Sequence, residues 1–297
     1  MRTYTSNTPL QAALHNLRRG GQSIAFVPTM GSLHEGHLNL VRKARQLCDA
    51  VVVSIFVNPL QFGPHEDLDA YPRSMAADKQ KLLREGVQIL YAPTVEEIYP
   101  EGMTAQTQVH VPDLGDTLCG TSRPGHFDGV TTVVSKLFNI VQPDVAVFGE
   151  KDFQQLMVVR QMVQDLDIPV RIHGVQAVRE ADGLARSSRN GYLSADERAI
   201  APKLHRILLD TATRLKAMQP EAGAGYTDDR LNRLQQAMMQ QLAEAGFRPE
   251  YLEIRRAQDL QLPTAGDQEL VILVSAWLGK ARLIDNVQVF LATGEVI

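Results

Sequence analysis

The amino-acid sequence predicts an α/β protein, a doubly wound parallel sheet followed by a smaller C-terminal α+β domain. Three observations carry this expectation. Short runs rich in valine and isoleucine alternate with helical patterns across residues 24–175, as strands and their crossover helices do in a parallel sheet. The run at 50–57 shows no polar alternation, which marks a strand covered on both faces. After Asp182 the order changes to two helical patterns and then three strand-like runs, the signature of a second domain.

Taken in order, residues 24–27 form a short apolar strand ended by Pro28, then a glycine-containing loop and a helix carrying Leu38, Leu40, Val41, Ala44 and Leu47. The strand at 50–57 is stopped by Asn58-Pro59, and a helix at 74–85 leads to a third strand at 87–91. Residues 93–127 are rich in Gly, Pro and Thr and read as an excursion of loops with a short strand. Regular order returns with a helix at 130–140, a strand at 145–148, a helix at 153–166 and a strand at 170–175. Beyond these, 195–218 and 228–245 read as single helices separated by a linker or turn at 219–226, and 251–255, 270–277 and 281–289 read as strands.

The 297 residues suffice for two domains with separate cores, and 44% hydrophobic with 22% charged residues is the composition of a globular chain. A formal charge of −4 gives no broad basic surface for nucleic acid. The two cysteines, Cys48 and Cys119, fit neither a zinc motif nor a disulfide framework. Residues 1–20 lack the pattern of a signal peptide, and no apolar run reaches membrane-spanning length, so a cytoplasmic location with no membrane partner is expected.

Four segments carry candidate chemistry. The first is T-M-G-S-L-H-E-G-H at 29–37, which brings Gly31, Gly36, His34 and His37 to a helix start directly after a strand. Main-chain N–H groups and the helix dipole suit a phosphate there, and an imidazole can donate to it. Two histidines beside a glycine also serve as a helix cap; their position after a buried strand favours the anion site. The segment excludes three common alternatives, for the chain has no G-x-x-x-x-G-K-[ST], no G-x-G-x-x-G after a strand and no H-E-x-x-H. The second segment, F-G-E-K-D-F-Q-Q-L at 148–156, again joins a strand to a helix. It offers Lys151 as a point charge for phosphate and Asp152 as an acceptor for ribose hydroxyls, with Gln155 one turn further along.

The third is L-A-R-S-S-R at 184–189, where Ser187 and Ser188 offer hydroxyls and Arg189 a guanidinium fork on a loop at the domain junction. The fourth is N-P-L-Q-F-G at 58–63, whose amides Asn58 and Gln61 suit a hydroxylated, carboxylated substrate.

Taken together, these segments resemble the pantoate–beta-alanine ligase family, relatives of nucleotidyltransferases and aminoacyl-tRNA synthetases. H-E-G-H at 34–37 and R-S-S-R at 186–189 match its two nucleotide signatures. F-V-N-P-L-Q-F, E-D-L-D-A-Y-P-R at 66–73, R-P-G-H-F-D-G-V at 123–130 and F-G-E-K-D at 148–152 extend the resemblance over nearly the whole chain. It implies a Rossmann-like domain at 1–182 that binds ATP and pantoate, and a domain at 183–297 that closes over the ATP.

By the same resemblance, ATP is contacted by Met30, Gly31, Ser32, Leu33, His34, Glu35, Gly36, His37, Gly149, Glu150, Lys151, Asp152, Val178, Arg186, Ser187, Ser188 and Arg189. Among these, His37, Lys151 and Arg189 are the catalytic residues, with His37 matching the family's proton donor. Gln61 matches a contact to pantoate and beta-alanine, Gln155 one to pantoate, and Asp78 is expected to help hold Mg²⁺. The implied reaction joins pantoate to beta-alanine through a pantoyl adenylate, with ATP as co-substrate, in a homodimer. One departure stands out: Arg186 occupies a place where the family usually has Met or Leu. A nucleotidyltransferase that leaves the nucleotide on its acceptor, and a nucleotide sensor without activity, would share the same cradle.

Overall fold

The computed structural model describes residues 1–64, 66–218, 228–264 and 266–291, so the turn expected at 219–226 lies outside the described residues. The chain divides into two compact units, Met1–Val178 and Arg179–Ile297. The division precedes the break at Asp182 because Arg179 belongs with the second unit. It bridges to Ala185 in an antiparallel pair, and its guanidinium forks onto Asp285 at 2.6 and 3.0 Å.

In chain order the first unit comprises β1 (Arg2–Tyr4), α1 (Asn7–Arg19), β2 (Ile24–Thr29), α2 (Glu35–Leu47), β3 (Ala50–Ile55), α3 (Met75–Arg84), β4 (Ile89–Tyr91), α4 (Val95–Ile98), α5 (Cys119–Ser122), α6 (His126–Val141), β5 (Val145–Gly149), α7 (Phe153–Asp165) and β6 (Arg171–Val175). The six strands form one sheet in the order β1-β4-β3-β2-β5-β6, and every pairing is parallel. The chain leaves β2 toward β3 on one side and returns to pair β5 with β2 on the other. That reversal between β2 and β5 is the topological switch point, where a doubly wound sheet opens a crevice at its carboxyl edge.

The central strands are buried because apolar side chains cover both faces. Ala25 and Val27 of β2, Val51 and Val53 of β3, and Val145 and Val147 of β5 pack in one cluster with Leu40, Val41 and Ala44 from α2. Full burial of each valine or leucine contributes roughly 1.5–3 kcal/mol. Pro28 does not end β2, which continues to Thr29. On β2, strand β5 pairs only with Ala25 and Phe26, so by Pro28 one side of β2 is already free of a ladder and a residue without N–H is tolerated.

Two elements carried no signal. Strand β1 is three residues long, and α1 buries only Leu10 and Leu14. The excursion at 93–127 forms the one-turn helices α4 and α5, and no strand among the described residues. Val109 there donates its N–H to Thr132 Oγ1 at 3.0 Å, and its carbonyl accepts the Thr131 hydroxyl. Hydroxyls of α6 thus satisfy a backbone that would otherwise need a neighbouring strand.

The second unit contains α8 (Ala195–Ile200), α9 (Lys203–Ala217), α10 (Asp228–Glu244) and the antiparallel strands β7 (Arg248–Arg256), β8 (Glu269–Leu278) and β9 (Ala281–Phe290). The single helix expected at 195–218 is broken at Pro202, which has no N–H for the helical ladder and instead begins α9. Leu204, Ile207, Leu208 and Leu215 from α9 and Leu234, Met238 and Leu242 from α10 pack with Leu252, Ile254, Ile272 and Val274 of the sheet. Among the described residues no helix is long and apolar enough to cross a membrane.

Candidate active site

The loop that leaves β2 is held from beneath by a buried carboxylate. Asp78, on α3, is 0% exposed. Its Oδ2 accepts the N–H of Ser32 at 2.8 Å and the Ser74 hydroxyl at 3.1 Å, and its Oδ1 accepts the N–H of Leu33 at 2.9 Å. Ser32 has φ +50°, a left-handed conformation that costs a non-glycine residue roughly 1–2 kcal/mol, and the bond to Asp78 holds it there. Lys81, one turn along α3, donates to the Leu33 carbonyl at 2.5 Å. Thr29 ties the loop to β3 by donating its hydroxyl to Ser54 O at 2.7 Å.

Asp78 therefore does not fit the expected magnesium site. Its oxygens are buried and already accept the N–H groups of Ser32 and Leu33 and the Ser74 hydroxyl. The carboxylate fixes the loop instead.

His34 and His37 form a reciprocal cap on α2. His34 Nδ1 accepts the N–H of Gly36 at 3.1 Å, and His37 Nδ1 accepts the N–H of His34 at 3.3 Å. The histidines are thus both a cap and part of the candidate anion loop. Their rings lie against each other with centroids 4.1 Å apart. A Cβ at position 36 would sit 2.8 Å from the His34 ring, so a side chain there would have to displace the cap.

Part of the His37 surface reaches solvent, yet loss of hydration around the ring pushes its pKa down to about 4. Asp152 opposes that shift while Lys151 and Lys81 add to it. These couplings bring Lys151 and Asp152, from the loop after β5, into the electrostatic neighbourhood of the loop after β2. With Nδ1 an acceptor and the ring neutral, the His37 proton lies on Nε2. His37 is therefore a neutral hydrogen-bond donor at neutral pH.

Gln61 closes a 3₁₀ turn after β3, and its Nε2 donates to Met30 Sδ at 2.7 Å. A residue expected at pantoate therefore touches one expected at ATP. Asn58 is 1% exposed and wholly engaged: Nδ2 donates to Gly129 O and Gln61 Oε1, and Oδ1 accepts from the Tyr99 hydroxyl. Asn58 thus shapes the turn, and each of its amide atoms already has a protein partner. Helix α6 approaches this turn so closely that a Cβ on Gly129 would lie 2.3 Å from Leu60 O.

Adjacent glutamines on α7 divide their tasks. Gln154 is buried, accepting the Cys119 N–H at 3.0 Å and donating to the carbonyls of Leu114 and Thr117. Gln155 is half-buried, and among the described residues its amide has no protein hydrogen-bond partner. Gly149 and Glu150 sit at the end of β5 and the start of its loop, and Val178 is the last residue of the first unit.

In the second unit, Ser187 Oγ caps a short 3₁₀ turn by accepting the Arg189 N–H at 3.3 Å. Arg186 donates to Glu180 Oε2 at 2.9 Å, so the unusual residue is held to its own hairpin.

Sequence reasoning passed over Lys81, Gln154 and the contacts of Arg123. This arginine forks onto Glu66 at 2.6 and 2.5 Å, with Glu66 held below the ordinary carboxylate range; burial resists that shift, and Arg123 overcomes it. E-D-L-D-A-Y-P-R and R-P-G-H-F-D-G-V each carry one half of that pair, and their opposite charges were the available signal.

Fold and site together define a doubly wound α/β protein with two candidate anion loops at its switch point, the arrangement of a nucleotide-binding enzyme. The chain belongs to the pantoate-beta-alanine ligase family, whose model matches residues 2–288. It is 56% identical over 293 residues to the pantothenate synthetase of Pseudomonas fluorescens (strain Pf0-1), covering 99% of each chain. The crystal structure of pantothenate synthetase from Thermus thermophilus superposes with a TM-score of 0.86 at 45% identity, covering 98% of this chain and 100% of that one. The pantoate-beta-alanine ligase of Francisella tularensis, complexed with beta-gamma ATP and beta-alanine, gives a TM-score of 0.76 at 33% identity, with 97% of each chain covered.

Proposed function

We infer that this protein condenses (R)-pantoate with beta-alanine in an ATP-dependent reaction that yields pantothenate, AMP and pyrophosphate. The observation that carries the inference is the family match along residues 2–288, which includes the histidine-capped loop at the switch point.

In the proposed first step, a carboxylate oxygen of pantoate attacks the α-phosphorus of ATP, and the bond to the pyrophosphate oxygen breaks. Pantoate needs no base, since an ordinary carboxylic acid is ionised near neutrality. In the second, the neutral amine of beta-alanine attacks the acyl carbon of pantoyl adenylate, AMP leaves with the bond electrons, and the amine loses a proton. Alignment and charge stabilisation dominate the first step.

We assign ATP to the loops after β2 and β5. His37 Nε2–H acts there as a neutral donor and Lys151 as a point charge. Gln61 and Gln155 receive pantoate, and Gln61 also meets beta-alanine. Ser187, Ser188 and Arg189, with Arg186 and Val178, enter the assignment through the family signature alone, as does the homodimer. Magnesium belongs to the proposal as a companion of the ATP phosphates, not as a ligand of Asp78.

The test is pyrophosphate release from ATP with pantoate, with and without beta-alanine, followed by identification of the acyl product. Pantoate-dependent release and pantothenate formation are expected. Release that ignores pantoate would remove the assignment, and a stable nucleotidylated acceptor would point to a nucleotidyltransferase.

A further inference from the structure

The carbonyl of Gln61 is gripped from one side by two side chains of the R-P-G-H segment. His126 Nδ1 lies 2.8 Å from Gln61 O, and Arg123 Nη2 donates to the same oxygen at 3.3 Å. Arg123 Nη1 lies 2.9 Å from His126 Nε2. A guanidinium only donates, so Nε2 is the acceptor, and the proton of a neutral His126 ring sits on Nδ1, where it donates to Gln61 O. Glu66 then takes the remaining edge of Arg123 in a two-point ion pair at 2.6 and 2.5 Å. The Arg123 and Glu66 side chains are 14% and 23% exposed, so water competes little for this pair. Each member of the relay fixes the next.

Gln61 is held from its other sides as well. Its N–H donates to Asn58 O at 3.4 Å, and Asn58 Nδ2 lies 3.3 Å from its Oε1. Helix α6 meets the same peptide at Gly129. The side-chain contact to Met30 Sδ is a weak acceptor that cannot by itself hold an amide in one rotamer. The direction of the Gln61 amide is therefore set through its main chain, and the grip of Arg123 and His126 is the part of that support that comes from charged and aromatic groups outside the turn.

We propose that Arg123, buttressed by Glu66 and acting with His126 through the Gln61 carbonyl, is a positioning residue for pantoate. This rests on the assignment of Gln61 to pantoate. A side chain that supports the binding amide, without touching substrate, changes affinity for the substrate of that amide and leaves the ATP loop as it was.

The experiment measures steady-state kinetics of Arg123→Ala, Glu66→Gln, Gln61→Ala and the double variant Arg123→Ala/Gln61→Ala, with folding checked by circular dichroism and thermal melting. Arg123→Ala is expected to raise the pantoate KM about tenfold or more, while the ATP KM stays within about twofold, the scale of a lost supporting contact. Glu66→Gln keeps the shape of the pair but removes its charge, and it should raise the pantoate KM by a smaller factor. It carries the test alone if Arg123→Ala does not fold. Because Arg123 acts through Gln61, the double variant should be no worse toward pantoate than Gln61→Ala.

An unchanged pantoate KM in folded Arg123→Ala, or in Glu66→Gln where it stands alone, would overturn the proposal. So would an equal rise in the KM for ATP, or losses that multiply in the double variant. A wild-type protein that ignores pantoate would instead defeat the functional assignment, which separates the two failures.

Discussion

The main-chain N–H of His34 donates to Nδ1 of His37 at 3.3 Å, which places the His37 ring proton on Nε2. The same ring, pushed down to about 4 chiefly by loss of hydration, stays neutral through the physiological range. Its folded pKa lies below the unfolded value near 6.5, so the unfolded chain binds the proton first as pH falls. Stability from this residue is therefore present above 6.5 and is lost on acidification from there toward 4. Between pH 7 and 5 the wild type should lose about 2 kcal/mol that His37→Gln does not lose. Denaturant melts of the two proteins at both pH values check this, and parallel declines would show that the ring is not desolvated.

Asp78→Asn tests the seat of the same loop. An amide in that position loses the charge that accepts the Ser32 and Leu33 N–H groups and turns an NH₂ toward one of them. A loss of about 3 kcal/mol is expected, on the scale of hydrogen bonds to a charged group, together with weaker ATP use. Thermal melting with and without ATP measures both. A stable variant whose ATP use recovers when magnesium is raised would restore Asp78 as a metal ligand.

Gly129→Ala forces a methyl to within 2.3 Å of Leu60 O. The turn must shift, at about 1–3 kcal/mol for an overpacked contact, and Gln61 moves with it. The pantoate KM should rise more than the ATP KM. Equal KM values in variant and wild type would mean that the turn absorbs the methyl without moving its amide.

The two glutamines of α7 should separate cleanly. Gln154→Ala leaves the Leu114 and Thr117 carbonyls and the Cys119 N–H without their partner, and should destabilise the protein by about 2–4 kcal/mol. Gln155→Ala breaks no protein hydrogen bond among the described residues, and should leave the melting temperature alone while impairing pantoate use. Melting curves and pantoate kinetics on both variants decide it; reversed effects would exchange their roles.

Much of this architecture was legible because buried strands and glycine-cornered loops leave local signals. The valines of 50–57 and the loops after 27 and 148 pointed to the parallel sheet and its carboxyl edge. What the sequence could not show depends on side chains from distant segments meeting. Asp78 was expected at magnesium, and nothing in 74–85 reveals that the N–H groups of Ser32 and Leu33 descend upon it. Asn58 and Gln61 share one turn and one chemistry, yet only the approach of α6 at Gly129 decides that Asn58 is consumed. The Glu66–Arg123 pair joins residues 57 positions apart, beyond the reach of any local pattern. Pro202 was a local signal that a continuous helical period overrode.

The central claim is that the histidine-capped loop after β2, together with Lys151 after β5, carries out adenylation. Its most direct measurement is single-turnover formation of pantoyl adenylate from ATP and pantoate by folded His37→Ala and Lys151→Ala, without beta-alanine. Each variant is expected to form the intermediate roughly a hundredfold or more slowly, the scale of losing a preorganised transition-state donor. Formation at close to the wild-type rate in either folded variant would contradict the account.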